Sequence, residues 1–121
     1  MAALLITGGL ACVSFAQDAN PATVTPQVQT LYSEANAAEK NGDHATAIQK
    51  YQDIIKLSPG LARAYNNLGR LYFNQGNFPA AIKVLEKGLA IDPGMYPAYV
   101  ILGASYSQSG EYKKAKAPLA T

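Results

Sequence analysis

The stretch ARAYNNLGRLYFNQGNFPAAIKVLEKGLAIDPGM, residues 62–95, reads as two helices divided at Gly76-Asn77 and closed by Asp92-Pro93-Gly94. Its landmarks recur 34 residues away. Gly42, Gly76 and Gly110 keep that spacing, as do Pro59 and Pro93, Tyr65 and Tyr99, and Ala47, Ala81 and Ala115. A 34-residue period with small residues at fixed offsets marks stacked helix–turn–helix units. With the prolines aligned, the units run 28–61, 62–95 and, incompletely, 96–121. Helices are predicted over 27–41, 44–57, 61–75, 78–91 and 95–109, with a last one from 112.

Each recurring residue has a physical task. Gly69 and Gly103, with Ala35 in the same place of the first unit, lie where the first helix of a unit crosses its second. Ala47, Ala81 and Ala115 let the second helix approach its neighbours, since larger side chains would force the helices apart. Gly42, Gly76 and Gly110 fall in the turn between the two helices, where positive φ is needed. Asp43 is expected to cap the helix that begins at His44, and Asn77 the one that begins at Phe78, with Pro79 tolerated in its first turn. Ser58-Pro59-Gly60 and Asp92-Pro93-Gly94 end the second helices. Pro118 falls inside the last predicted helix, where it removes a donor and clashes with the preceding turn.

The offsets Tyr65, Leu68, Gly69, Tyr72, Gly76, Ala81, Leu85 and Pro93, repeated as Tyr99, Leu102, Gly103, Tyr106, Gly110 and Ala115, match one known pattern. The first unit follows more loosely, with Leu31, Glu34, Ala35, Ala38, Gly42, Ala47, Tyr51 and Pro59. Over residues 28–121 the chain resembles the tetratricopeptide repeat family, with tyrosine or leucine at the place usually written as Trp. The resemblance implies an all-α fold, a short right-handed solenoid whose first helices line a concave binding side.

By that register the inward positions of the first unit are Gln29, Tyr32, Asn36, Glu39 and Lys40. In the second they are Arg63, Asn66, Arg70, Phe73 and Asn74, and in the third Pro97, Val100, Ala104, Ser107 and Gln108. Arg63, Asn66 and Arg70 are spaced along one helical face, and two guanidinium forks with an amide between them suit a carboxylate or an extended peptide backbone. Tyr32 and Phe73 offer stacking or apolar contact. Asn67 is expected to hydrogen-bond between adjacent helices. Some family members grip a chaperone's C-terminal carboxylate with Lys, Asn and Arg residues. Here Asn36 and Asn67 keep two elements of that clamp, but Tyr32, Pro97 and Ile101 stand where basic residues are expected, so the clamp is broken.

Residues 1–16 read as an export signal: Ala2 to Val13 are uncharged and apolar, and Ser14 and Ala16 flank Phe15 as a cleavage site before Gln17 requires. No Lys or Arg precedes the apolar core. Gly9-Leu10-Ala11-Cys12 also resembles a lipoprotein signal, which would anchor the chain at Cys12, although Gly9 stands where leucine is usual. A third reading is an apolar helix padding the end of the stack, in a cytoplasmic protein. The stretch is too short, and too broken by Gly8 and Gly9, for a transmembrane helix. Residues 17–27, with Pro21 and Pro26, read as a linker. If the export reading holds, the protein is a periplasmic or secreted bacterial one whose mature chain has no transmembrane span.

The chain of 121 residues carries a net charge of +2, and its one basic cluster is Lys113, Lys114 and Lys116. No basic stripe or aromatic platform supports nucleic-acid binding. One cysteine and one histidine, His44, leave no disulfide within the chain and no metal set, and no cofactor is implied. No Ser–His–Asp set or Gly-rich phosphate loop appears. The leading expectation is a non-catalytic interaction scaffold that binds a protein or peptide in its concave face. Two others stay open. One is an oligomerisation or spacer element that meets its copy near Tyr106, Tyr112 and Leu119. The other is an accessory domain of a larger enzyme.

Overall fold

In the computed structural model, which describes residues 24–110, Thr25 opens the first helix. Its Oγ1 accepts from Val28 N at 3.2 Å, and Pro26 sits in the first turn, where a missing N–H costs nothing. Helix α1 then runs Pro26–Lys40, so it takes in two residues expected of the linker. It is followed by α2 (His44–Leu57), α3 (Ala62–Asn74), α4 (Phe78–Ile91) and α5 (Tyr96–Ser109). The described residues thus form five stacked helices of a short solenoid, with no strand.

The turns between paired helices are built identically. Gly42 and Gly76 adopt φ of +76° and +78°. Gly42 N donates to Glu39 O and Asp43 N to Ala38 O, while Gly76 N donates to Phe73 O and Asn77 N to Tyr72 O. This pair of bonds closes a helix through a left-handed glycine. The residue that finishes each closure also starts the next helix: Asp43 Oδ1 accepts from Thr46 N at 3.2 Å and Asn77 Oδ1 from Ala80 N at 3.4 Å. Three residues therefore end one helix, reverse the chain and cap the next. Gly110 has φ of +81° after α5.

The longer turns are fixed by tyrosines. Tyr65 donates its hydroxyl to Pro59 O at 2.8 Å, and Tyr99 repeats the bond to Pro93 O at 3.0 Å. A second repeated bond links a first helix to the second helix of the preceding unit: Gln52 Nε2 donates to Tyr72 Oη at 3.1 Å, and Tyr106 donates to Glu86 Oε2 at 2.7 Å. Tyr65 and Tyr99 stand at the place usually written as Trp, and an indole, which has no hydroxyl and carries its N–H elsewhere on the ring, would not make the same bond to the proline carbonyl.

Two apolar clusters make the core. Val28, Ala35, Ala47, Tyr51, Ile54, Ala64, Leu68 and Leu71 form the first, and Ala81, Leu85, Leu89 and Ala98 the second. At Gly69, a Cβ would lie 2.5 Å from Leu85 Cγ, so only glycine lets α3 cross α4 over this leucine. Gly88 plays a similar part that the repeat pattern did not single out: a Cβ there would stand 2.8 Å from Tyr65 Cβ. At Gly103 a Cβ would meet no described atom within 4 Å. The helix expected from 112 to cross it lies outside the described residues, as do Ala115, Pro118, the Lys113–Lys116 cluster, Cys12 and the whole of residues 1–16.

Spacing along the first helices is uneven. No Cα atoms of α1 and α3 approach within 8 Å, whereas α3 and α5 do come that close.

Candidate functional site

Because α1 and α3 stand apart, a cleft of about 430 Å³ opens between them, lined by Val24, Gln29, Tyr32, Asn36, Arg63 and Asn67. Arg63 and Asn67 are one helical turn apart on α3, and Gln29, Tyr32 and Asn36 rise along α1 at spacings of three and four, so each helix presents a single edge. Arg63 places its Cζ 5.0 Å from the centroid of the Tyr32 ring, a cation–π contact that holds an otherwise exposed guanidinium over the cleft. Tyr32 in turn packs edge-on against Tyr51, with ring centroids 5.8 Å apart. Its hydroxyl is buried without a hydrogen-bond partner, and burial raises its pKa against the pull of the nearby guanidinium.

Arg70, expected to be a free fork, is spent within the molecule. Its Nη1 lies 2.9 Å from Glu39 Oε2 and its Nη2 donates to Glu39 Oε1 at 3.1 Å, a two-bond pair across the stack. Tyr51 donates to the same Oε1 at 2.7 Å and stands 3.3 Å from Asn36 Oδ1. Burial alone would raise the Glu39 pKa; the bonds from Arg70 and Tyr51 outweigh it and hold the carboxyl below its ordinary value. The bond to Glu39 keeps Arg70 charged, and burial followed by the adjacent carboxylate pushes the Tyr51 hydroxyl far up.

The remaining expected contact residues scatter. Phe73 is half-buried, packs against the second core cluster and meets Phe78 edge-on at 5.5 Å, so its ring is structural. Asn66 Oδ1 is buried and unpartnered. Asn74 and Gln108 are exposed in the last turns of α3 and α5, away from the cleft lining. Asn67, expected to bridge helices, lines the cleft instead. Tyr106, proposed for a contact between copies, is 6% exposed and bound to Glu86, while Tyr112 and Leu119 lie outside the described residues. The structure therefore gathers Tyr32, Asn36, Arg63 and Asn67 around one cleft and removes Arg70 and Phe73 from it. The sequence held a signal for the Arg70 pairing: Glu39 and Arg70 are 31 residues apart, as are Tyr32 and Arg63, so both pairs link the same two registers of neighbouring units.

Among the described residues, no group of three His, Cys, Asp or Glu side chains could hold a metal ion, and no helix is long and apolar enough to cross a membrane. His44 is the exposed first residue of α2.

Family models described as tetratricopeptide repeat match residues 32–96 and 75–121. A comparison with curated proteins finds no match. Among solved structures, the chain is similar to the MamA protein, at 31% identity and a TM-score of 0.68 over 73% of this chain and 48% of that one. It thus spans about half the length of that relative. It is also similar to the TPR2B domain of yeast Sti1, solved as a pHsp70 complex, at 25% identity and a TM-score of 0.71 over 75% of this chain and 73% of that one. The Sgt2 TPR domain from Aspergillus fumigatus matches at 28% identity and a TM-score of 0.70, over 76% and 61% of the two chains.

Proposed function

This chain belongs to the tetratricopeptide repeat family, and from that premise we propose that it is a non-catalytic scaffold that binds an extended peptide segment of a partner protein in the cleft between α1 and α3. The observation that carries the reading is the guanidinium of Arg63, exposed at the cleft and held over Tyr32 rather than paired with a carboxylate. A peptide carbonyl or carboxylate there gains a charge-assisted bond, and the amides of Asn36, Asn67 and Gln29 supply donors and acceptors for the rest of its backbone. The similar TPR2B domain of yeast Sti1 was solved as a pHsp70 complex. The basic positions of the chaperone-tail clamp are Tyr32, Pro97 and Ile101 here, so the partner of this chain differs in chemistry.

Selection of binders from a random peptide library, followed by affinity measurement on Arg63→Glu and Asn67→Ala, tests this. Both variants should lose about tenfold or more in affinity, a difference of about 1.4 kcal/mol, with unchanged thermal unfolding. Selected peptides that bind Arg63→Glu as well as wild type would remove the cleft from consideration.

A second reading rests on α5, where Tyr96 and Val100, one turn apart, are 75% and 74% exposed. Such a face suits another repeat or a copy of the chain. Light scattering over a concentration series decides: association abolished by Val100→Glu supports it, and a monomer throughout removes it. Export through residues 2–16 is likewise a proposal. A mature N-terminus at Gln17, found by mass spectrometry of the chain produced in a bacterial host, would support it, and an intact Met1 would not.

A further inference from the structure

A second crevice lies on a different side of α3, between the second helices of the first two units. Gln52, Ile55 and Lys56 of α2 form one wall, Val84 and Lys87 of α4 the other, and Tyr65 and Leu68 of α3 the floor, around about 430 Å³. No Cα atoms of α2 and α4 approach within 8 Å, which is why the floor is open. The floor is apolar and recessed, with Tyr65 9% and Leu68 3% exposed, and Ile55 and Val84 half-buried above it.

The rim is of one sign. Lys56 and Lys87 are exposed at facing positions 31 residues apart, and Lys83 stands one turn before Lys87 on α4. The nearby carboxylates are turned to other partners: Asp53 accepts from Gln49 Nε2 at 3.1 Å, and Glu86 accepts from Tyr106. Ion pairs join Lys50 to Glu34 and Arg70 to Glu39 among the described residues, and neither pair lines this crevice. An apolar slot flanked by two lysines complements an apolar side chain flanked by acids.

We propose that this crevice is a docking site for a protein segment in which branched apolar side chains alternate with carboxylates. The apolar side chains would enter between Ile55 and Val84, and the carboxylates would meet Lys56 and Lys87. The recessed floor favours such a segment over a bilayer, which needs apolar side chains that protrude. The site is distinct from the cleft between α1 and α3: the two share only helix α3, and no residue lines both.

The test titrates the full chain with a fluorescein-labelled peptide of alternating leucine and glutamate, acetylated and amidated so that its ends carry no charge. Wild type should bind. Lys56→Glu with Lys87→Glu should weaken binding about tenfold or more, and the milder Lys56→Gln with Lys87→Gln about threefold. A peptide with alanine for leucine should bind at least about tenfold more weakly. Arg63→Glu should leave affinity within about twofold. Both lysines are exposed, so unfolding temperatures should stay level; a variant that melts early is replaced by its glutamine form. The proposal is overturned by no binding up to about 1 mM peptide, or by lysine variants that bind like wild type. Binding lost in Arg63→Glu but kept in the lysine variants would overturn it in favour of the other cleft. Lysine-dependent sedimentation with phosphatidylserine vesicles, without peptide binding, would overturn it in favour of a membrane.

Discussion

Between α1 and α3 the facing positions carry Tyr32 against Arg63 and Glu39 against Arg70; between α3 and α5 the same repeat positions carry Asn66 against Pro97 and Phe73 against Ala104. The first junction is held by long charged and aromatic side chains, so its helices are tied together at a distance and leave a cleft. The second has small or apolar residues, and its helices close up. One backbone plan therefore carries a polar groove at one end and a closer seam at the other, where the matching positions hold smaller residues opposite Asn66 and Phe73. Each junction buries one unpaired polar atom at the same repeat position: the Tyr32 hydroxyl in the first, beside the Arg63 guanidinium, and Asn66 Oδ1 in the second, where the matching position is Pro97, which has no donor.

The contrast can be broken at several levels. Both junctions share α3, so prying α3 from α4 should abolish both: Gly69→Leu, which drives a side chain into Leu85, should cost about 3 kcal/mol in urea unfolding. Arg70→Glu should break only the first junction, by setting a carboxylate against Glu39 and stranding the Tyr51 bond, at about 2 kcal/mol. The pair is partly exposed, which keeps this below the cost for a buried one. A variant at Arg70 therefore reports on stability as well as on binding, and Arg63 is the cleaner probe of the cleft.

Acid should weaken the first junction selectively. The folded Glu39 pKa is depressed, so the unfolded chain takes up the proton first. The pair's contribution is present above the ordinary carboxylate range of about 4 and is lost as pH falls through the folded value. Arg70→Gln should be about 1 kcal/mol less stable than wild type at neutral pH, and the gap should close below about pH 4. The smallest effects belong to the second junction. Ala104→Arg, which brings the first junction's bulk to the seam, should cost about 1 kcal/mol. Asn66→Leu should stabilise by about 1 kcal/mol by removing an unpaired acceptor; a loss of stability instead would show that Asn66 has a partner in solution.

Much of the helical frame was legible because local rules dictate it. The glycine closures at 42 and 76 and the caps Asp43 and Asn77 involve residues within one turn of each other, and their chemistry leaves few alternatives. Gly69 was legible for a different reason, since periodicity places it at a crossing. The tyrosine bonds to Pro59 O and Pro93 O were less visible, although a constant offset of six residues from proline to tyrosine carried the signal.

The sequence by itself determined the repeat: 34-residue spacing, capping and small residues at crossings fix helix ends and pairing, because each acts through neighbours close along the chain or in the next unit. Only the tertiary structure decided which inward-facing residues remain open. Arg63 and Arg70 lie on one helix and look alike in sequence, yet one meets an aromatic face and stays available, and the other meets Glu39 and is neutralised. A charged side chain's role depends on what stands within a few ångströms of it, and stacking brings together residues from separate units.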